Sequence, residues 1–134
     1  MLSVIIDWIE FTVLDAQLPL VLDTIGLDWD DFKALNKGRF GYHNQYKWSG
    51  GNVFIMFTTN SDDIDIDSKI NERSGVHVMI TGQGCRQYAA KHNLTKLIQR
   101  LYILKRVNFS RIDLAIDDHE SKIINYDRIH DAAI

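Results

Sequence analysis

With one cysteine, Cys85, the chain cannot close an internal disulfide, and this usage fits a reducing cytoplasm. No Cys/His spacing suited to zinc is present. No apolar run approaches the roughly 18 residues that a membrane-spanning helix needs. The apolar start MLSVIIDWIEF lacks a basic leader and contains Asp7 and Glu10, so it reads as a strand and not as a signal peptide. Positive charge is also in short supply. The net charge of −3 provides no global field to draw the chain to nucleic acid, so any such binding must use a local patch. Proline occurs once, at Pro19, and no internal repeat is visible.

What remains is an ordinary globular composition, 46% hydrophobic and 25% charged, over 134 residues. That length suits one domain, residues 1–134, with its own core. Its focus is NFSRIDLAIDDHE, residues 108–120. Side chains alternate faces along a strand. Ile112, Leu114 and Ile116 therefore share one face, and Arg111, Asp113, Ala115 and Asp117 share the other. An aliphatic row backed by a charged row predicts a half-buried strand. Carboxylates are depleted in strands. The charged row is either a solvated face or a metal or phosphate site on an open sheet.

The remaining elements follow in order. Residues 3–13 read as a strand with apolar residues on both parities, which places it inside the sheet. Asp7 within it is expected to be paired with a neighbour, in preference to serving as a further site ligand. Pro19 and Gly26 bracket a helix. A second short helix is expected after Asp28, carrying Trp29, Phe32 and Leu35. Residues 39–48 alternate, with Phe40, Tyr42, Tyr46 and Trp48 on one side and Arg39, His43, Gln45 and Lys47 on the other. A turn at Ser49–Asn52 and a strand at 53–59 complete a hairpin. Its basic row is the best local phosphate-contacting candidate, against the plainer reading of a solvated face. Asp63, Asp65 and Asp67 have the spacing of a calcium loop, but Ser68 and Ser74 occupy the glycine and glutamate positions, so that reading fails. Gly75–Gly82 is a strand with Val76, Val78 and Ile80 on one face and His77 on the other. If it shares a sheet and a core with the Asp113 strand, His77 and Asp113 lie on one face. The turn GQGCR, 82–86, is a weak anion-binding signal, with Arg86 beside the helix start. Cys85 reads as a small buried residue. Helix is predicted to about Val107, broken near His92-Asn93 with Asn93 as a cap. YDRIHDAAI at the end looks like the beginning of another helix, and the chain reads as part of a longer protein.

This order predicts an α+β fold: a mainly antiparallel sheet of about five strands, helices packed on one face, the other face partly open. Nucleic-acid modules of ferredoxin-like shape use such a face.

Four segments, IDWIEFTV (6–13), GYHNQYKW (41–48), GVHVMITGQGCRQY (75–88) and FSRIDLAIDDHE (109–120), together resemble the N-terminal part of the replication initiators of Gram-positive rolling-circle plasmids. Relaxases of conjugative elements and phage replication proteins are relatives of that family. The resemblance implies a fold related to the HUH endonucleases and metal-dependent nicking of one DNA strand at an origin. A tyrosine becomes linked to the 5′ end in that chemistry. By motif, Asp113 and Asp117 fall on the family's acidic positions, with His77 as a third candidate ligand for Mg²⁺ or Mn²⁺. Arg39, His43, Lys47, Arg86 and Arg111 are the candidate DNA contacts. The implied partner is origin DNA, partly single-stranded, and the full-length protein is a candidate homodimer. None of Tyr42, Tyr46, Tyr88, Tyr102 and Tyr126 has the family's nucleophile position, so the expected chain is an active-site part without its tyrosine. Two other readings stand beside this one. A non-catalytic single-strand-binding module would need the Tyr42/Tyr46/Trp48 row exposed. A structural or partner-binding domain would bind neither metal nor DNA.

Overall fold

The computed structural model describes residues 2–118. Six strands form one antiparallel sheet: β1 (Leu2–Val13), β2 (Phe32–Ala34), β3 (Asn44–Trp48), β4 (Val53–Phe57), β5 (Val76–Ile80) and β6 (Val107–Asp118). Their spatial order is β2-β3-β4-β5-β1-β6. Three helices, α1 (Leu18–Ile25), α2 (Gly82–Ala89) and α3 (Leu94–Ile103), complete the α+β fold. The C-terminal segment YDRIHDAAI lies outside the described residues. Among the described residues, no helix is long and apolar enough to cross a membrane.

Alternation along the strands builds the core. Ile9, Phe11 and Val13 of β1 face the helices, as do Val53, Ile55 and Phe57 of β4 and Val76, Val78 and Ile80 of β5, all of them buried. Helix α1 starts with proline in its first turn and ends at Gly26 in the left-handed conformation, which releases the chain without Cβ strain. Asn93 caps α3 by accepting from Lys96 N at 3.0 Å, so 82–103 is two helices with a break where the cap residue predicts one. The buried Tyr88 hydroxyl donates to the Ile25 carbonyl at 2.6 Å and ties α2 to the end of α1.

Three expectations are corrected. The residues after Asp28 form a single 3-10 turn, Trp29–Asp31, followed by β2, because the Asp28 side chain caps Asp30 N and Phe32 then pairs with Trp48 at the sheet edge. Residues 39–42 are not strand. Phe40 and Gly41 both have positive φ, and a tight Arg39–Tyr42 bridge breaks the parity before β3 begins. The aliphatic row of β6 is only partly covered: Ile112 is 42% and Leu114 54% exposed. They lie on the helix side, but β6 is an edge strand and α2 crosses the sheet over β1.

Two register shifts shape the β1–β6 ladder. Ile6 pairs with Leu114 and Trp8 with Asp113, so Asp7 is an extra residue; Ser110 is the corresponding extra on β6. Such bulges re-aim side chains. The Asp7 carboxylate accordingly meets Arg86 of α2 at 3.1 Å, on the helix side.

Helix α2 approaches the β3–β4 turn so closely that a Cβ on Gly84 would lie 2.1 Å from the Asn52 carbonyl oxygen. Gly84→Ala should therefore destabilise the fold by about 1–3 kcal/mol, the usual cost of overpacking. A lower urea midpoint at unchanged slope would show it.

Candidate functional site

The face opposite the helices carries Trp8, Glu10 and Thr12 from β1, His77 and Met79 from β5, and Arg111 and Asp113 from β6. Strand neighbours make this a connected set. Thr12 stands opposite His77, Glu10 opposite both Met79 and Arg111, and Trp8 opposite Asp113. The His77 ring is buried, and each of its nitrogens has a partner: Nδ1 lies 2.8 Å from Thr12 Oγ1 and Nε2 lies 3.0 Å from Glu10 Oε2. A carboxylate only accepts, so Nε2 carries hydrogen and donates to Glu10. The other Glu10 oxygen accepts from Trp8 Nε1 at 2.8 Å. The Arg111 guanidinium lies over the Trp8 ring, 3.9 Å from its centroid, and forks onto Asp113 with Nη2–Oδ2 at 2.7 Å. That guanidinium holds the Asp113 carboxyl below its usual range.

A loop covers one end of this face. Tyr42 stacks on His77 at 5.8 Å and Phe40 meets the ring edge-on at 5.9 Å. The Tyr42 hydroxyl donates to the Ser74 carbonyl at 3.2 Å, and Gln45 Nε2 donates to the Lys37 carbonyl at 3.1 Å. His77 is thus shielded on one side by aromatics and joined to Glu10 on the other.

The sequence candidates separate. His77 and Asp113 do share a face. Their register positions on β1, Thr12 and Trp8, are four residues apart, which is about 13 Å along the strand. They do not converge on one point. Glu10 lies between them, and its contact with His77 makes it the nearer donor. The Asp117 backbone pairs with Ser3, and its side chain lies outside the described residues. Among the described residues, no group of three His, Cys, Asp or Glu side chains is placed to hold a metal ion. Lys47 and Arg111 lie on the open face. Arg39 and His43 are exposed in the loop before β3, with Arg39 over the Phe40 ring at 4.8 Å. Arg86 is on the helix side, paired with Asp7. The α2 start is equally committed: Gly84 N donates to the capping Thr81 Oγ1 at 3.1 Å, and Gly82 and Gly84 serve close packing.

The aromatic row of the hairpin also divides. Trp48 is buried and Tyr46 half-buried, and Tyr46 packs against Trp29 and Phe57 in the core. Burial raises the Tyr46 hydroxyl above its ordinary range. A single-strand-binding platform made of Tyr42, Tyr46 and Trp48 is therefore excluded, because the helix-covered face takes that parity of β3. Glu10 and Trp8 were missed from sequence. Their signal was a carboxylate sharing a parity with Trp8 and Thr12 inside an otherwise aliphatic strand.

Cys85 is buried, its Sγ near the Ile80 carbonyl at 3.7 Å. Burial first, then the charge of Asp7, pushes the thiol up to about 11.

The face away from the helices of this antiparallel sheet thus bears His77 on β5, Glu10 on β1, and Arg111 and Asp113 on the edge strand β6. The chain matches the family of rolling-circle replication initiation protein N-terminal domains over residues 3–97, and it belongs to that family. Its fold is similar to a solved rolling-circle replication initiator protein from Geobacillus stearothermophilus, with a TM-score of 0.73 at 24% sequence identity. That alignment covers 99% of this chain and 50% of the other, so the chain spans about half the length of the initiator it matches. No curated protein sequence matches it.

Two outcomes are expected from this geometry. Glu10→Ala leaves the His77 Nε2 and Trp8 Nε1 donors without their acceptor, and should cost about 1–3 kcal/mol in thermal or urea unfolding. The Cys85 thiol has a higher pKa folded than unfolded, so its contribution is complete below about pH 9 and is lost as pH rises towards about 11. The loss is on the order of 2–3 kcal/mol. Comparing stability–pH curves of wild type and Cys85→Ala should show that component removed.

Proposed function

We propose that this chain supplies the metal- and DNA-binding face of a rolling-circle initiator that nicks one strand at a replication origin and is joined to DNA through a phosphotyrosine. Family membership supports the setting. The observation that carries the assignment to this face is the Thr12–His77–Glu10–Trp8 chain of contacts beside the Arg111–Asp113 fork, all on strands β1, β5 and β6.

Glu10 Oε2 and His77 Nε2, 3.0 Å apart, would hold a hard divalent cation between them in the other imidazole tautomer, with the hydrogen on Nδ1 donated to Thr12 Oγ1 and the Nε2 lone pair free. Two protein donors suit Mg²⁺ or Mn²⁺, which retain several waters and take the rest of their ligands from phosphate. The bound ion would neutralise and orient a phosphodiester. Thr12 fixes the imidazole by its hydroxyl on Nδ1, and Trp8 fixes the carboxylate through its indole N–H, so both donors are held in position before an ion arrives. Arg111 stands one pair along the same strand and offers a cation to a phosphate. Asp113 holds that guanidinium, and in this reading it is a positioning residue as well as a candidate ligand with Asp117.

Tyr42 lies on this face, but its hydroxyl is engaged by Ser74 and its ring by His77. Tyr88 is buried and Tyr46 faces the core. The nucleophilic tyrosine of this reading is none of these three. The homodimer, the plasmid, phage or conjugative setting, and a cytoplasmic location belong to the same proposal.

Calorimetric titration with Mn²⁺ tests it. Saturable binding is expected in wild type, lost in Glu10→Gln and His77→Ala. Asp113→Ala should weaken it less, because Asp113 is about 13 Å along the strand from His77. Binding abolished by Asp113→Ala but untouched by Glu10→Gln would move the ion to the β6 edge. No binding in wild type would overturn the metal assignment.

A further inference from the structure

Strand β5 pairs with β1 only at Ile9–Val13, whereas β6 accompanies β1 from Val13 back to Leu2. The first part of β1 and the last part of β6 therefore leave the sheet as a two-stranded ribbon. One apolar row runs along it. Val4 stands opposite Ile116, Ile6 opposite Leu114 and Ile9 opposite Ile112. Ile9 is fully buried under the helices, so the row lies on the helix side. Cover is lost along it: Ile112 and Leu114 are exposed, and Val4 is 63% exposed. Between the row and the α2–α3 corner is an open groove of about 360 Å³, lined by Val4, Ile6, Ala89 and Leu94 together with Arg86 and His92.

A two-stranded ribbon is marginal in water and needs a further strand or a helix against its apolar face. The chain itself supplies a candidate. Strand β6 ends at Asp118, next to the pairing with Leu2 at the far tip of the ribbon, so the following residues start beside the open row. Those residues lie outside the described residues, but their sequence is patterned. In SKIINYDRIHDAAI (121–134), Ile123, Tyr126, Ile129 and Ala133 recur at spacings of three, three and four, which is one face of a helix, while Asp127, Arg128 and Asp131 fall off it. Ser121 stands where a helix cap would. His119–Ser121 is a link of ordinary length for a strand-to-helix turn. A helix over residues 122–133 is about 18 Å long. The row from Ile116 back to Ile112 is about 13 Å, so the helix spans it.

We propose that residues 121–134 form an amphipathic helix that turns back from β6 and seats Ile123, Tyr126, Ile129 and Ala133 on the Val4, Ile112, Leu114 and Ile116 row, beside α2. The helical layer then extends over the ribbon. The short link keeps the helix at high effective concentration, so a modest apolar contact suffices to hold it, an advantage that a second copy of the chain lacks. Trp8 and Asp113 lie on the opposite face of the same two strands, so the docked helix secures from behind the register that brings them together. Nothing in this docking depends on the metal or DNA readings of that opposite face.

Hydrogen exchange read by mass spectrometry on the 134-residue protein tests this. A helix of this length is marginal in water alone, so protection of its amides requires docking. Amides of residues 122–133 should exchange about tenfold or more slower than in an unstructured chain of the same sequence. Leu114→Thr removes apolar contact while keeping strand propensity, and Ile129→Ser lies outside the sheet. Each should return those amides to within about twofold of the unstructured rate while β4 and β5 stay protected. Thr at a position open to water would leave the Tm unchanged; under a docked helix, Leu114→Thr should lower it by about 3 °C or more. Arg128→Gln, off the apolar face, should change neither reading. Unprotected 122–133 amides in wild type would overturn the docking, as would protection that survives Leu114→Thr with β4 and β5 intact. Protection that falls on dilution, with a dimer in sedimentation, would give the row to a second copy and overturn it too. If Leu114→Thr also strips β4 and β5 of protection, Val4→Thr and Ile129→Ser decide by the same criteria.

Discussion

Strand β1 is hydrogen-bonded along both edges, to β5 through Ile9–Val13 and to β6 from Leu2 to Val13. Everything proposed for this protein depends on that double ladder. Its inward residues Ile9, Phe11 and Val13 are buried in the centre of the core. Its outward residues Trp8, Glu10 and Thr12 link His77 on one side to Arg111 and Asp113 on the other. Without β1 between them, the histidine strand and the aspartate strand would have no common chemistry.

The linkage is a division of labour between two ion-like pairs. His77–Glu10 is sheltered by Phe40 and Tyr42, which reduces competition from water and strengthens the hydrogen bond between them. Arg111–Asp113 is exposed at the sheet edge, where solvent screens it and its energetic weight is small. That difference is why the proposal places the ion at the sheltered pair and the phosphate contact at the exposed one. Trp8 touches both, hydrogen-bonded to Glu10 and covered by Arg111, so displacement of Arg111 by a ligand would be felt at Glu10.

Much of this was legible in the residues. Period-two alternation marked β5 and the hairpin strands. Pro19, Gly26 and Asn93 marked helix ends, and the shared polarity of the His77 and Asp113 strands placed those residues on one face. Recognition of the family rested on short motifs, and the match over residues 3–97 agrees with it. Where local reasoning failed, the cause was a neighbour remote in sequence or a backbone irregularity. Positive φ at Phe40 and Gly41 turned Phe40 and Tyr42 onto His77. Asp7 is paired, as expected of it, but the bulge there is what chose Arg86 as its partner. An edge position left Ile112 and Leu114 uncovered.

By itself the sequence determined most of the element types, β2 and the turn before β3 excepted, and the two-sidedness of β5 and β6, because these follow from side-chain periodicity and local turn chemistry. Only the tertiary structure decided which polar groups meet. Strand order and register set cross-strand neighbours, and a one-residue shift moves every side chain to the other face. That is why Glu10, 67 positions from His77 in the chain, is its hydrogen-bond partner, while Asp113, the more conspicuous acid, is bound to its own strand's Arg111.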